Sequence, residues 1–240
     1  MMSTTTDHGL GADLAADLAA TSLTLARQFS AGGTMWCLAP SWQPHAQHIA
    51  VEFVHPVIVG KRALPAVALT DPDLVDVVRV SVRSGDIVIA VADADDADVR
   101  SVMRRAPAWG AVTIWIGSGT RPFDGAADHV LWIDDPDPGL PATGGFVLLY
   151  HLLWELTHVC FEHPGLLNVD ECTDEVCITC SDEGRLAEVL APSDGSSAMV
   201  RTAKGTESVE TVLIGPVSTG DLLLVHAGMA ISRVGQEVDE

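Results

Sequence analysis

The side chains with the clearest chemical potential in the second half of the sequence are two cysteines and a histidine. Cys177 and Cys180 form a Cys-x-x-Cys pair, and His226 lies in the apolar, strand-like run DLLLVHAG. A Cys-x-x-Cys pair usually indicates zinc or redox chemistry when a second such motif or a following helix accompanies it, and neither context is present. An incidental pair of thiols and a hydrogen-bonded core histidine are therefore the alternatives to a binding function.

The first half of the sequence offers two further groups. His48 and Glu52 stand four residues apart on one face of a predicted helix. Asp93, Asp95 and Asp96 follow an apolar run and stand where a helix is predicted to begin. Carboxylates at a helix N-terminus are stabilised by the helix dipole, so this acidic cluster has a structural interpretation as well.

Composition limits the classes of partner. The 240 residues carry a formal charge of −20, which would repel nucleic acids and anionic membrane surfaces. No uninterrupted apolar run reaches the length that spans a bilayer, and the acidic start of the sequence does not resemble a secretory signal. The five cysteines are an odd number, which favours free thiols in a reducing cytoplasm over a disulfide framework.

The pattern of apolar residues predicts two domains. Helix-like segments at residues 13–29, 45–54, 95–106 and 143–162 alternate with short β-branched runs at 35–39, 66–70, 86–92, 111–117 and 129–133. This alternation predicts an α/β domain over residues 1–162, with a mostly parallel sheet between helix layers. Residues 163–175 become acidic and polar and are predicted to be a linker. Short strand-like runs separated by turn residues over 176–240 predict a small, OB-like β-barrel.

The second domain resembles the HypC/HupF hydrogenase maturation chaperones over its whole length, in CITCSDEGRLAEVL and VSTGDLLLVHAGMAISRVGQEVDE. The resemblance implies that Cys177 and His226 serve an iron ion carrying cyanide and carbon monoxide, the Fe(CN)2CO moiety of nickel-iron hydrogenases. A thiolate and an imidazole are good donors to iron. The implied partners are a HypD-type maturation factor and the hydrogenase large-subunit precursor, and the implied role is transient delivery.

One departure from that family concerns the position of the cysteine. In the family the cysteine becomes the amino terminus after removal of the initiator methionine, whereas Cys177 is internal. Its backbone nitrogen is an amide, so a mechanism that needs a free α-amino group would require cleavage of the linker. A mechanism that needs only the thiolate would not.

The first domain resembles sugar isomerase (SIS) domains, notably the sedoheptulose 7-phosphate isomerase branch, from LARQFSAGGTMWCLAPSWQPHAQHIAVEF through residue 162. Both phosphate-binding loops of that branch are altered. The first reads APSWQ at 39–43, with Pro40 and Trp42 where small residues let backbone amides approach an anion. The second reads VADADDAD at 91–98, with carboxylates where hydroxyl groups are expected. Ordinary phosphosugar binding is therefore not expected.

The resemblance also implies a metal site. His48, Glu52 and His151 match positions of the isomerases' metal set, and two imidazoles with a carboxylate suit a divalent metal such as zinc. The isomerases' glutamate at the Glu52 position also transfers a proton. Thr143 replaces a glutamine ligand, and His158 is a candidate substitute. The alternative is that these side chains are core or solvated residues.

Two hypotheses follow for the whole chain. The first is a hydrogenase maturation chaperone whose SIS-like domain is a scaffold, a ligand sensor or the unit through which the chain forms a homo-oligomer. The second is a metal-dependent, isomerase-like enzyme acting on a small sugar-derived metabolite, with Glu52 as its catalytic base.

Overall fold

The computed structural model describes residues 11–133, 143–167, 184–193 and 195–235. Its helices are α1 (Ala12–Ser30), α2 (Pro44–Val54), α3 (Leu74–Ser81), α4 (Ala97–Arg105) and α5 (Thr143–Glu162). Its strands are β1 (Met35–Leu38), β2 (Ala66–Leu69), β3 (Ile87–Val91), β4 (Val112–Ser118), β5 (His129–Ile133), β6 (Arg185–Ser193), β7 (Ser197–Thr202), β8 (Gly205–Glu210), β9 (Leu222–His226) and β10 (Met229–Val234). Two short 3-10 turns complete the described elements, at Ala106–Trp109 and Pro164–Leu166.

The first five strands form one parallel sheet in the order β2-β1-β3-β4-β5. Both of its faces are covered, which explains why β3 is buried at every position. Ile87 and Ile89 contribute to a core shared with α1, α2 and α5, whereas Val88 and Ala90 contribute to a core shared with α3 and α4. The three-layer α/β architecture predicted from the sequence is confirmed.

Helix α3 was not predicted from the sequence. Its eight residues include four valines, a composition typical of strands. The segment is helical because Leu74 and Val78, one turn apart, are both buried against the sheet. Tertiary packing thus overrides the local preference here.

Helix α5 is the long apolar helix of this domain. By length and composition alone, Gly144–Glu162 is the one described helix that could cross a membrane. His151, Glu155 and His158 interrupt its apolar residues, so no uninterrupted apolar run marks it in the sequence. The helix packs along α1, and Leu149, Tyr150 and Leu153 contribute to the first core.

The remaining five strands close into a barrel in the order β10-β8-β7-β6-β9. All neighbouring pairs are antiparallel except β10 with β8, which is parallel. The small barrel predicted for this region is therefore present. Strand β8 runs from Gly205 to Glu210, so the apolar residues Val212, Leu213 and Ile214 lie outside the strand. Of the predicted linker, the residues from 168 on lie outside the described residues, as does Cys177.

The barrel packs directly on the α/β domain. Glu188 of β6 is 1% exposed and accepts hydrogen bonds from Trp109 Nε1 at 2.8 Å, Arg79 Nη2 at 2.8 Å and Arg105 Nη1 at 3.0 Å. Arg201 of β7 donates to the carbonyl oxygen of Arg79 at 2.7 Å, at the C-terminal end of α3. A buried carboxylate with several charged donors is strongly position-specific, so this cluster fixes how the two units meet.

Candidate metal centre

Helix α2 presents His48 and Glu52 beside α5. It follows β1 and has Pro44 in its first turn, where the missing N–H of proline costs nothing. Ile49 and Phe53 are fully buried in the first core. That packing fixes the rotation of the helix, so His48 and Glu52, which directly precede these residues, lie one turn apart at the margin of the core.

The structure brings His48, Glu52 and His151 together. The Nε2 atoms of His48 and His151 lie 3.1 Å apart, and His151 Nε2 lies 3.6 Å from Glu52 Oε1. One ligand atom from each residue lies within 4.8 Å of the others. The predicted set is thus assembled from two helices that are about 100 residues apart in the sequence.

These distances fit a divalent metal. With zinc at about 2.0 to 2.1 Å from two imidazole nitrogens and a tetrahedral angle between them, the nitrogens would stand about 3.3 Å apart. The observed separation between the two Nε2 atoms is 3.1 Å, so only small side-chain shifts are needed. Three protein ligands leave further coordination positions for water or substrate, as catalytic zinc sites do. The side chain of His151 is 42% exposed, so the site is open to solvent.

Tyr150 is part of this centre, although its role was not predicted from the sequence. Its hydroxyl oxygen lies 3.0 Å from Nδ1 of His48, the ring nitrogen that faces away from His151. Burial, with a smaller contribution from the negative charge of Glu52, raises the pKa of Tyr150 to about 12. The phenol therefore keeps its proton at neutral pH. In the sequence, only its position next to His151 on α5 could have indicated a role at the site. Its contact with His48 depends on how α2 and α5 pack together.

His45 forms the aromatic side of the centre. It is buried, and its ring meets the rings of Trp42, Phe146 and Tyr150 edge to face. Burial, and then the nearby His48, lowers the pKa of His45, so its ring is neutral at neutral pH. This aromatic packing holds Tyr150 in place.

His158 does not join the metal set. Its Nδ1 and Nε2 atoms each lie 2.9 Å from a backbone carbonyl oxygen, of Trp154 and Arg62 respectively. Both nitrogens are thus engaged by the backbone, and the ring is 2% exposed. His158 is thus a core residue and does not substitute for the ligand replaced by Thr143.

The two altered loops lie at the carboxyl ends of β1 and β3. Trp42 follows β1 and is half-exposed. Asp96 caps α4 by accepting a hydrogen bond from the backbone nitrogen of Val99 at 3.0 Å, which confirms its interpretation as an acidic helix start. Asp93 and Asp95 instead line a cleft of about 590 Å³.

His226 is the last residue of β9, at the turn into β10. The turn contains Ala227, the one non-glycine residue with positive φ in the described part of the chain, at 49°, followed by Gly228 at 79°. Consecutive left-handed residues are typical of a tight hairpin turn, so His226 is held at the rim of the barrel. Since Cys177 lies outside the described residues, its pairing with His226 remains a prediction.

Comparison with solved structures identifies the fold of the first domain. A phosphoheptose isomerase from Francisella tularensis aligns with a TM-score of 0.51 at 16% identity, over 60% of this chain and 86% of that chain. A phosphoheptose isomerase from Neisseria gonorrhoeae aligns with a TM-score of 0.46 at 20% identity, over 59% and 84%. The sugar isomerase domain of an RpiR transcription factor from Sphaerobacter thermophilus gives 0.47 at 16%, over 63% and 81%.

The N-terminal part of the chain therefore has the SIS, or phosphosugar isomerase, fold. No family model and no curated protein matches the sequence. The comparisons show the fold of the N-terminal part alone, and they provide no evidence for a HypC/HupF domain.

Proposed function

We propose that the SIS-fold domain is a metal-dependent isomerase-type enzyme for a small, sugar-derived carbonyl compound. The observation that carries this proposal is the convergence of His48, Glu52 and His151 within 4.8 Å of one another. Two imidazoles and a carboxylate, open to solvent on one side, are the donor set of a catalytic zinc site.

Each residue of the site has a separate role in the proposed reaction. A divalent metal held by this set would polarise a substrate carbonyl oxygen as a Lewis acid. Glu52 removes the proton from the hydroxyl-bearing carbon next to the carbonyl and returns it to the former carbonyl carbon. The hydroxyl proton moves to the carbonyl oxygen in the same exchange, so the atoms balance. Tyr150, protonated at neutral pH, holds the imidazole of His48 in one orientation.

The altered loops argue for a substrate without a phosphate group. Trp42 takes the place of a small residue at the end of β1, and Asp93 and Asp95 line the cleft beyond β3. Each carboxylate would oppose a nearby phosphate by about 1 kcal/mol or more at partly screened distances. The proposed substrate is therefore a small polyhydroxy aldehyde or ketone without a phosphate group.

Zinc binding and proton exchange test this proposal. Zinc should bind the metal-free chain with a stoichiometry of about one, and His151→Gln should weaken binding by at least about tenfold. His163→Gln, which changes an exposed histidine outside the set, is the matched control. With zinc bound, unphosphorylated sugars in heavy water should exchange the hydrogen next to the carbonyl, and Glu52→Gln should abolish this exchange. Zinc binding that is indifferent to His151→Gln, or exchange that survives Glu52→Gln, would contradict the proposal.

The barrel supports a second candidate function. Its closed five-stranded form places His226 at a rim, and its sequence resembles the HypC/HupF chaperones. On this proposal the barrel carries the Fe(CN)2CO moiety on Cys177 and His226, in company with a HypD-type factor and the hydrogenase large-subunit precursor. Iron is then cargo, and the SIS-fold domain is a scaffold or the unit of self-association.

Infrared spectroscopy tests this second candidate. The chain is co-expressed without oxygen with a HypD-type factor, purified, and examined for cyanide and carbonyl stretching bands. Bands that disappear in Cys177→Ala and persist in His163→Gln would support iron carriage. A folded chain that shows no bands and retains no partner would rule out the chaperone function and leave the enzyme proposal intact.

A further inference from the structure

A cavity of about 710 Å³ lies where the barrel meets the SIS-fold domain. Met103, Trp115 and Phe123 line it from the SIS-fold domain, and Leu186 and Val234 line it from the barrel. This volume lies within the usual range for small-molecule sites, which often form between domains. The cavity is on the α4 side of the sheet, whereas the candidate metal centre lies between α2 and α5 on the other side.

Two arginine side chains line this cavity, although the whole chain has a formal charge of −20. Arg100 and Arg104 stand one turn apart on α4 and both line the cavity, with Ser101 between them. Asp128 also lines it, but its Oδ2 atom already accepts hydrogen bonds from the backbone nitrogen and the hydroxyl of Thr113, at 2.8 and 2.7 Å. Two guanidinium groups beside a mostly apolar wall favour an anion, and that of Arg104 also lies 3.5 Å from the carbonyl oxygen of Gly235.

The apolar wall defines the rest of the ligand. The indole of Trp115 is fixed, because its Nε1 donates to the carbonyl oxygen of Ala92 at 3.1 Å and its ring meets Trp132 edge to face. Phe123 is 68% exposed and adds a second aromatic ring at the cavity. Flat apolar groups pack well against such rings.

The two sides of the cavity are held in a fixed relation. The Glu188 cluster joins β6 to α3 and to the turn that contains Trp109. Arg105, next to Arg104 on α4, also donates to the carbonyl oxygen of Gly220 in the barrel at 2.6 Å. The cavity therefore belongs to the docked pair of units, and neither unit forms it alone.

We propose that this cavity binds a small organic anion with a flat apolar body, and that this ligand bridges the SIS-fold domain and the barrel. Arg100 and Arg104 receive its anionic group, and the apolar lining residues of the two units enclose its apolar body. Because it contacts both units, the bound ligand stabilises their docked arrangement.

Two fluorescent dyes test the site on the full chain. Anilinonaphthalenesulfonate has a flat aromatic body and one negative charge, and phenylnaphthylamine has a similar body without the charge. The charged dye should bind saturably with a stoichiometry of about one, at least about tenfold more tightly than the neutral dye. Equal affinity for the two dyes would overturn the proposal.

Matched variants locate the binding. Ala97 is exposed at the start of α4 and lines the cavity, so Ala97→Trp should fill its mouth and weaken binding of the charged dye by at least about tenfold. Ala16→Trp, at an exposed position on α1, is the control. Arg104→Gln should weaken the charged dye and leave the neutral dye unchanged, whereas Lys204→Gln, at an exposed barrel turn, should change neither. Affinity that is unaffected by both cavity variants would overturn the proposal.

The last residues of the chain require one more control. Gly235 lines the cavity, and residues 236–240, which follow it, carry three carboxylates. A chain that ends at Gly235 should bind the charged dye at least as tightly as the full chain. Binding that occurs only in the shortened chain would overturn the proposal, because the cavity would then be closed in the 240-residue chain.

Discussion

The hydroxyl oxygen of Tyr150 lies 3.0 Å from Nδ1 of His48, which leaves Nε2 of that histidine directed at His151. When Nε2 binds a metal, Nδ1–H donates to the tyrosine oxygen, and this hydrogen bond fixes the orientation of the ring. Loss of such a supporting hydrogen bond typically weakens metal binding by about 10- to 100-fold. We therefore expect Tyr150→Phe to lower zinc affinity by that factor, measured by competition with a chelator. Phe161→Leu, on the same helix, should leave the affinity unchanged; equal effects would show that the hydrogen bond is unimportant.

The single tyrosine of the chain permits a direct pKa measurement. Burial raises the pKa of Tyr150 from 10.0 to about 12, so its ultraviolet titration should be centred near the higher value in the folded protein. The titration should return to about 10 in denaturant. Between these values the unfolded chain loses a proton that the folded chain keeps, so this residue's share of stability falls as pH rises through that window. A midpoint near 10 in the folded protein would contradict the buried position of the phenol.

Removal of the Glu188 carboxylate should destabilise the packing of the barrel on the SIS-fold domain. Glu188→Ala would leave Arg79, Arg105 and the indole of Trp109 without their shared acceptor, at a cost of about 3 to 5 kcal/mol in free energy of unfolding. Glu207→Ala removes a more exposed carboxylate, paired with Arg185 at 2.7 Å within the barrel, and should cost less than about 1 kcal/mol.

Urea denaturation of the two glutamate variants measures this difference. The transition should shift further for Glu188→Ala than for Glu207→Ala. Equal shifts would mean that the buried cluster contributes no more than a surface ion pair.

Cys37 and Cys160 should be chemically inert in the folded protein. Both thiols are free and buried, and burial raises the pKa of each, which depletes the reactive thiolate. We expect neither to react with iodoacetamide until the chain is denatured, as read by peptide mass spectrometry. Rapid labelling of Cys37 in the folded protein would contradict its position inside the sheet.

The sequence alone determined most of the architecture. The alternation of apolar runs and helical stripes predicted the parallel sheet, four of the five described helices and the small barrel, because these patterns report which face of each element is buried. Of the described helices, only α3 was not predicted. Its valines favour a strand, and only the buried pair Leu74 and Val78 shows the helical period. The resemblance to the isomerases selected His48, Glu52 and His151, and the structure assembles them.

Only the tertiary structure decided which other side chains take part. His158 shares a helix face with His151, but seven residues place it about 10.5 Å further along the axis, where two backbone carbonyl groups engage it. Tyr150 meets His48 across 102 residues of sequence, and Glu188 meets Trp109 across 79. Such pairs depend on the rotation and crossing of packed elements. Local patterns determine which face of an element is buried, whereas the packing of the whole chain determines what that face meets.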